Sequence, residues 1–332
     1  MDVSDQQKQF VLALLAYAAQ REISIADLCK ASNIDLQAVV KKSDYVINSG
    51  QRNALWANAS SLCNDSLFGL HFGESLQLAA LGAVGEIIKS SETVGQALTI
   101  AASFTPVVTE LFKMDVKKSK KTILVDFSKA IDTNDDFLVT QVADFLLMFT
   151  IHELDGFLLK KVKPRSVTFP HVVKSTEYER VLRCKPTKGK HYCLELDASY
   201  WDEPIITANY ELQKHFLEKI NIVYSQRTPE ASLKAKIMEY LSRNAYLGLL
   251  SLEDVAANFN MTPRSLQRRL QNESITFQQI ADSVRKSLAL HYMETGKYQL
   301  KEISNILGYN ELSAFSRAFK RWTGKAPMEY RA

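Results

Sequence analysis

Cysteine is scarce in this sequence. Cys29, Cys63, Cys184 and Cys193 are scattered over 332 residues, and the missing C-x-x-C spacing argues against a zinc site or a disulfide framework. The thiols are expected to be reduced. The longest apolar run near the N-terminus, Phe10 to Ala19, is too short to cross a bilayer and has neither a basic flank nor a cleavage site. A cytoplasmic protein with no membrane partner is expected. His71, His152, His171, His191 and His215 lack H-x-x-x-H or H-E-x-x-H spacing, so they offer no metal site. His152, Glu153 and Asp155 are too close along one helix to converge on a substrate. The acidic run Asp132 to Asp136 lacks the glycine and distal glutamate of a calcium loop. Leu78 to Gly85 is not a G-x-G-x-x-G loop; its small residues read instead as close-packed backbone. No cofactor, no metal and no enzyme activity are therefore expected.

What is present is ordinary globular composition, 46% hydrophobic and 23% charged, with length enough for about two domains. The net charge of +4 is unevenly divided. Residues 230–332 hold 15 Lys and Arg against 10 Asp and Glu, whereas the remainder holds 26 against 27. The whole basic excess lies in the last third of the chain.

The first hundred residues read as mostly helical. Phe10, Val11, Leu14, Leu15 and Ala18 recur at helical spacing, and Ser24 can cap a second helix. Ser91 to Leu98 looks like a capped start running on through Ala101 until Pro106 interferes. The period then changes. Lys121 to Phe127 reads as a strand, preceded by the basic turn of Lys117, Lys118, Lys120 and Lys121, and Phe137 to Leu154 as an apolar helix. Ser166 to Phe169, Tyr178 to Cys184 and His191 to Leu196 read as short β-type runs punctuated by prolines. This is an α+β domain. Asn209 to Val223 returns to helix, a candidate dimer face or an internal packing face, and the polar Ser225 to Glu230 marks a boundary. The domains are then 1–225 and 226–332.

The last third is predicted to be all-α. Leu252, Val255, Ala256 and Phe259 follow helical spacing, Ser251 is a good N-cap, and Asn260 can end the helix. Thr262 then caps a second helix with Pro263 at its first position and Leu266 and Leu270 inward. This is a helix-turn-helix. The outer face of its second helix carries Arg264, Gln267, Arg268, Arg269 and Gln271 with no acid before Glu273. Arginine can donate two hydrogen bonds to guanine and glutamine can pair likewise with adenine, so DNA reading is favoured over a merely solvated face. The arrangement then recurs. Leu300, Ile303, Ile306 and Leu307 form a short helix, Gly308 to Asn310 a turn, and Leu312 to Trp322 a helix with Phe315, Phe319 and Trp322 inward. Between the units, Thr276 to Thr295 reads as one helix of roughly 30 Å, close to the roughly 34 Å between successive major grooves on one side of DNA.

Gly308-Tyr309, Phe315 to Trp322, Gly324, Pro327 and Tyr330-Arg331 together resemble the end of the AraC/XylS family of bacterial transcription regulators. The resemblance implies a seven-helix domain with two helix-turn-helix units joined by a long helix. By position it implies base contacts from Arg264, Gln267 and Arg268 in the first unit and from Ser313, Ala314 and Arg317 in the second. Arg269, Ser316, Lys320 and Arg321 would meet phosphates, which fix position without reading sequence. Leu312 and Ala314 depart from the polar readers common there, so the second unit is expected to contribute mainly backbone anchoring. Phe68-Gly69-Leu70, Gly82 to Gly85, Ser91 to Leu98, Leu196 and Trp201 to Pro204 are similar to the companion domain of the AraC subfamily that includes regulators of ornithine use and virulence. Its implied partners are double-stranded DNA, RNA polymerase, a second copy of the chain and a small-molecule effector that the sequence does not name. An effector-independent regulator with a purely interacting N-terminal domain is the competing function.

Overall fold

The computed structural model describes residues 3–41, 45–158, 160–173, 175–205, 232–243, 250–296, 298–309 and 311–331. The chain divides into two units, Met1–Thr207 and Ala208–Ala332. The expected boundary at residues 225–230 and the helix expected over 209–223 lie outside the described residues.

The first unit begins with helices α1 (Val3–Gln20), α2 (Ile25–Ala31), α3 (Leu36–Lys41), α4 (Ser49–Leu62) and α5 (Phe68–Ser75). A 3-10 turn over Leu78–Leu81 leads to α6 (Ala83–Lys89) and α7 (Val94–Val108). Side chains set several of the ends. Ser24 accepts the Asp27 N–H at 3.3 Å to start α2, and Asn48 and Gln51 cap α4 reciprocally. The capped start of α7 expected within Ser91 to Leu98 is made by Thr93, whose side chain accepts the Gln96 N–H. Its end corrects the sequence expectation: the helix runs through Pro106 to Val108. Proline removes one N–H and one helical bond, and here that loss falls in the last turn, which Thr109 closes by donating to the Thr105 carbonyl at 3.0 Å.

A five-stranded sheet follows, built from β1 (Phe112–Lys118), β2 (Thr122–Lys129), β3 (Ser166–Phe169), β4 (Thr187–Lys188) and β5 (Tyr192–Asp197) in the order β1-β2-β5-β3-β4. Neighbours are antiparallel except β3 and β4. Ile123, Val125 and Phe127 on β2 and Tyr192, Leu194 and Leu196 on β5 are buried in strict alternation, as a strand with one face on the core requires. The β-type run expected over Tyr178 to Cys184 is instead α9 (Thr176–Leu182). Its aromatic and β-branched residues suggested a strand, but Tyr178, Val181 and Leu182 bury at helical spacing. Ser175 caps the start and left-handed Arg183 stops the end.

Helix α8 (Asp136–Leu158) is long and apolar enough to cross a membrane, yet it is the core helix of this unit, with 18 of its 23 residues buried. It meets α5 backbone to backbone. A Cβ on Gly69 would lie 1.9 Å from the Gln141 carbonyl oxygen, and one on Gly73 2.7 Å from that of Phe145. The Gln141 side chain finishes the contact, accepting the Gly69 N–H and donating to the Ser66 carbonyl, both at 2.7 Å. Around it Phe10, Tyr17, Trp56, Phe68, Phe72 and Phe145 form one aromatic cluster, with Phe72 and Phe145 stacked at 5.1 Å. Each such ring contributes roughly 1.5–3 kcal/mol of burial.

A chain of buried charges adds direction to this packing. Asp65 pairs with Arg21 and, at 2.8 Å, with His71 Nδ1, whose Nε2 meets Glu177 at 3.0 Å. Glu177 also pairs with Arg180 at 2.6 Å, and Arg180 with Glu74 at 2.9 Å. Burial alone would push His71 down, but its hydrogen bonds to Asp65 and Glu177 push it up to about 9. Burial is outweighed by His71 and Arg21 at Asp65, and by His71 and Arg180 at Glu177, which hold each carboxyl at about 2. Nearby, Asp144 accepts from the Tyr178 hydroxyl at 2.6 Å, its other oxygen has no partner, and burial raises it to about 7.

After β5 the chain folds back on α7. Gly95 donates to the Trp201 carbonyl at 2.9 Å, Val94 to Glu203 at 3.1 Å, and Ile205 to Glu92 at 3.1 Å. The Trp201 ring lies where a Cβ of Gly95 would be, 2.3 Å away.

In the second unit the described helices are α10 (Leu233–Arg243), α11 (Leu252–Asn258), α12 (Pro263–Asn272), α13 (Phe277–Thr295), α14 (Leu300–Ile306), α15 (Leu312–Thr323) and α16 (Pro327–Arg331). Tyr240, Leu266, Leu270, Ile280, Tyr292, Phe315 and Phe319 fill its core.

Candidate nucleic-acid interface

Local chemistry fixes both helix pairs. Ser251 and Asp254 form a reciprocal cap at the start of α11, each bond 3.1 Å long. Asn260 takes the left-handed turn conformation with φ 53°. Thr262 then accepts the Ser265 N–H at 3.1 Å, and Pro263 opens α12. Leu266 and Leu270 are wholly buried, which turns the opposite face of α12 outward.

That face carries Arg264, Gln267, Arg268 and Gln271, all exposed. Arg269 is half-buried, with its guanidinium 4.0 Å from Met261 Sδ. The nearest acid in sequence is turned away: the Glu273 carboxylate accepts the N–H groups of Leu233 at 2.8 Å and Lys234 at 3.0 Å, at the start of α10. It satisfies orphan donors at a helix N-terminus and leaves the outer face of α12 without a counter-ion from that side.

The second pair starts with Gln299 and Glu302 capping α14, and Gly308 makes its turn at φ 76°. In α15, Phe315 and Phe319 are buried and Trp322 half-buried, while Ser313, Arg317, Lys320 and Arg321 are exposed and Ala314 and Ser316 partly so. Several polar groups are already engaged. Ser313 donates to Glu311 at 3.2 Å, and Ser316 to the Leu312 carbonyl at 2.8 Å. Arg321 reaches Asp282 of α13 at 3.1 Å. Asp282 also lies 3.7 Å from Arg285, whose guanidinium sits 5.4 Å above the Tyr309 ring. This cluster locks α15 and its turn onto α13. The long helix itself has 19 residues, bounded by a Thr276–Gln279 capping box and left-handed Gly296, and spans about 28 Å.

His71 is held in the charge chain described above. His152 is buried, and burial together with the nearby Arg183 charge pushes it down to about 3. His215 lies outside the described residues. Asp155, three residues after His152 along the helix, receives Arg183 and the Val162 N–H, while Glu153 receives the Leu78 N–H at 2.8 Å. No group of three metal-ligating side chains occurs among the described residues. In the basic hairpin, Lys118 pairs with Asp202 at 2.9 Å and lies over Trp201.

The feature that spacing did not expose is a partly open cavity of about 70 Å³ in the first unit, lined by the Leu78–Leu81 turn, α6, α7, α8 and residues of β1 and β2. The separate apolar periodicities of these elements are visible in the sequence, but not the void left where they meet.

Comparison with known proteins agrees with these observations. Residues 23–205 match the family described as the arabinose-binding domain of AraC transcription regulator, N-terminal, and residues 255–332 match a helix-turn-helix domain family. The chain is 26% identical to the ornithine utilization regulator of Pseudomonas aeruginosa, over 84% of this chain and 82% of that protein. It is 30% identical to the transcriptional regulator VirS of Mycobacterium tuberculosis over 52% of this chain and 51% of the other. Among solved structures, the transcriptional regulator CdpR of Pseudomonas aeruginosa covers 92% of this chain, and the chain 96% of it, with 21% identity and a TM-score of 0.41.

Proposed function

This chain belongs to the AraC family of transcription regulators, and we propose that it is a cytoplasmic, effector-responsive, sequence-specific regulator that reads two adjacent major grooves. Its DNA-binding domain spans residues 226–332 and its sensing and dimerisation domain residues 1–225. Arg264, Gln267 and Arg268 read bases in the first groove; Ser313, Ala314 and Arg317 face bases in the second; Arg269, Ser316, Lys320 and Arg321 meet phosphates. The observation that carries this reading is the acid-free face of α12, since an uncompensated Arg/Gln surface on a helix of this placement matches major-groove chemistry. The bond from Ser313 to Glu311 and the apolar side chain of Ala314 support a second unit that anchors more than it reads, with exposed Lys320 as its principal phosphate contact. RNA polymerase and a second copy of the chain are its protein partners.

Duplexes selected in vitro for binding should be protected in two patches about one helical turn apart on one face of the DNA. A single protected patch would overturn the two-groove reading. A metabolite that changes affinity for the selected duplex would identify the effector; unchanged affinity with every metabolite pool would refute the response.

A further inference from the structure

The cavity in the first unit has a selective character. Its inner lining comes from buried Leu78, Leu81, Val84, Ile88, Leu98 and Phe127, and its outer rim from half-buried Ala101, Phe104, Phe149 and Thr150. The hydroxyls of Thr105 and Thr150 are turned onto their own helices, donating to the carbonyls of Ala101 at 3.1 Å and Leu146 at 2.8 Å. Among the described lining residues the one charged side chain, Glu153, receives the Leu78 backbone N–H at 2.8 Å on its Oε1. A water here would find few partners, and apolar cavities of this kind stay dry. A zwitterionic amino acid would have to shed its hydration shell where the lining offers no cation to its carboxylate, and where the Glu153 carboxylate already holds the Leu78 N–H, which disfavours it.

Size narrows the choice further. At about 70 Å³ the void is roughly half of the ~150 Å³ apolar cavity that admits benzene. An aromatic ring therefore does not fit without expansion, whereas a slender chain of a few methylenes does. A close-packed interior gains dispersion contacts when such a void is filled by carbon.

We propose that this cavity is a binding site for the end of a short aliphatic chain, with the polar head of the ligand held outward past Ala101, Phe104 and Thr150. The proposal rests on the effector-responsive reading only for its regulatory meaning; the site itself is defined by the lining.

The test uses the full chain with 1-hexanol, toluene and L-ornithine as probes, followed by titration calorimetry and thermal melting. Hexanol should bind saturably at one per chain and raise the melting temperature by roughly 5–10 °C at a hundredfold excess over Kd. Toluene and ornithine should produce no comparable shift. Ala101→Leu, which fills the rim from a half-exposed helical position, should weaken hexanol at least tenfold. Phe104→Ala, which widens the rim, should admit toluene and guards against a folding defect in the first variant. Absence of saturable hexanol binding, or equal binding to wild type and Ala101→Leu, overturns the site. The same samples are then titrated against a selected duplex. Hexanol that binds but leaves DNA affinity unchanged supports the site and refutes its effector role. Ornithine that alters DNA affinity while hexanol fails to bind leaves the effector reading standing and overturns this inference.

Discussion

Replacing His71 with Gln removes a proton-binding group from the centre of the buried charge chain while keeping a side chain able to reach Asp65 and Glu177. In the folded protein His71 is raised from 6.5 to about 9, so the native state holds the proton more tightly than the unfolded chain does. A raised pKa contributes stability that is complete below about 6.5 and disappears as the pH climbs through about 9. At about 1.4 kcal/mol per pH unit the rise corresponds to roughly 3 kcal/mol. Urea unfolding, monitored by tryptophan fluorescence at pH 6, 7.5, 9 and 10, should show wild type losing roughly that amount relative to His71→Gln across the window. Comparing the pair cancels titrations common to both. The carboxylates act at the other extreme: Asp65 and Glu177 are depressed to about 2, so their contribution is lost only as the pH falls from about 4 through 2. Parallel wild-type and variant curves between pH 6 and 10 would refute the charged-imidazole account.

Three further outcomes are expected. Gly69→Ala should cost at least about 2 kcal/mol, because its Cβ meets a backbone carbonyl that cannot rotate away; a change below about 0.5 kcal/mol in denaturant unfolding would show that α5 and α8 do not touch as described. Asp144→Asn should stabilise the protein by about 2–4 kcal/mol at pH 7.5 and hardly at all at pH 3.5, since the native carboxyl, raised to about 7, resists ionisation that the unfolded chain permits. Equal gains at both pH values would exclude this. Arg268→Ala should relax base preference at one position and cost about 1–3 kcal/mol, whereas Lys320→Ala should weaken all sequences alike and flatten the salt slope by about one; binding to a randomised duplex pool at several salt concentrations separates the two, and exchanged behaviours would reverse the roles.

Most of the DNA-binding half is legible in sequence because its signals are local. Ser251, Thr262 and Pro263 lie within a turn of what they cap, and burial of Leu266 and Leu270 follows from their spacing. The exposed face of α12 follows directly from those two leucines. What could not be read depends on contacts between distant residues. Glu273 ends a basic face in sequence, whereas its carboxylate serves the N–H groups of Leu233 and Lys234, about 40 positions earlier. Arg321, expected at a phosphate, also pairs with Asp282, 39 positions earlier. His71 joins a partner 106 positions away, so no motif could announce the pair. Strand β1 offers no apolar run because Lys113, Asp115 and Lys117 on its outer face alternate with Phe112, Met114 and Val116, and in α9 composition outweighs spacing. Beside α5, a glycine in a helix is only a weak propensity signal until the facing carbonyl is located.

Helix α7 has two attachments whose combination matters. Its body forms one wall of the cavity, and its first turn is stitched through Val94, Gly95 and Glu92 to residues 201–205, the last described stretch before the chain leaves the first unit. The exit of the polypeptide is thus fastened to the wall of the void rather than to the rigid glycine-packed pair of α5 and α8. One helix therefore carries a wall of the cavity along its body and, at its N-terminal end, the last described residues of the first unit.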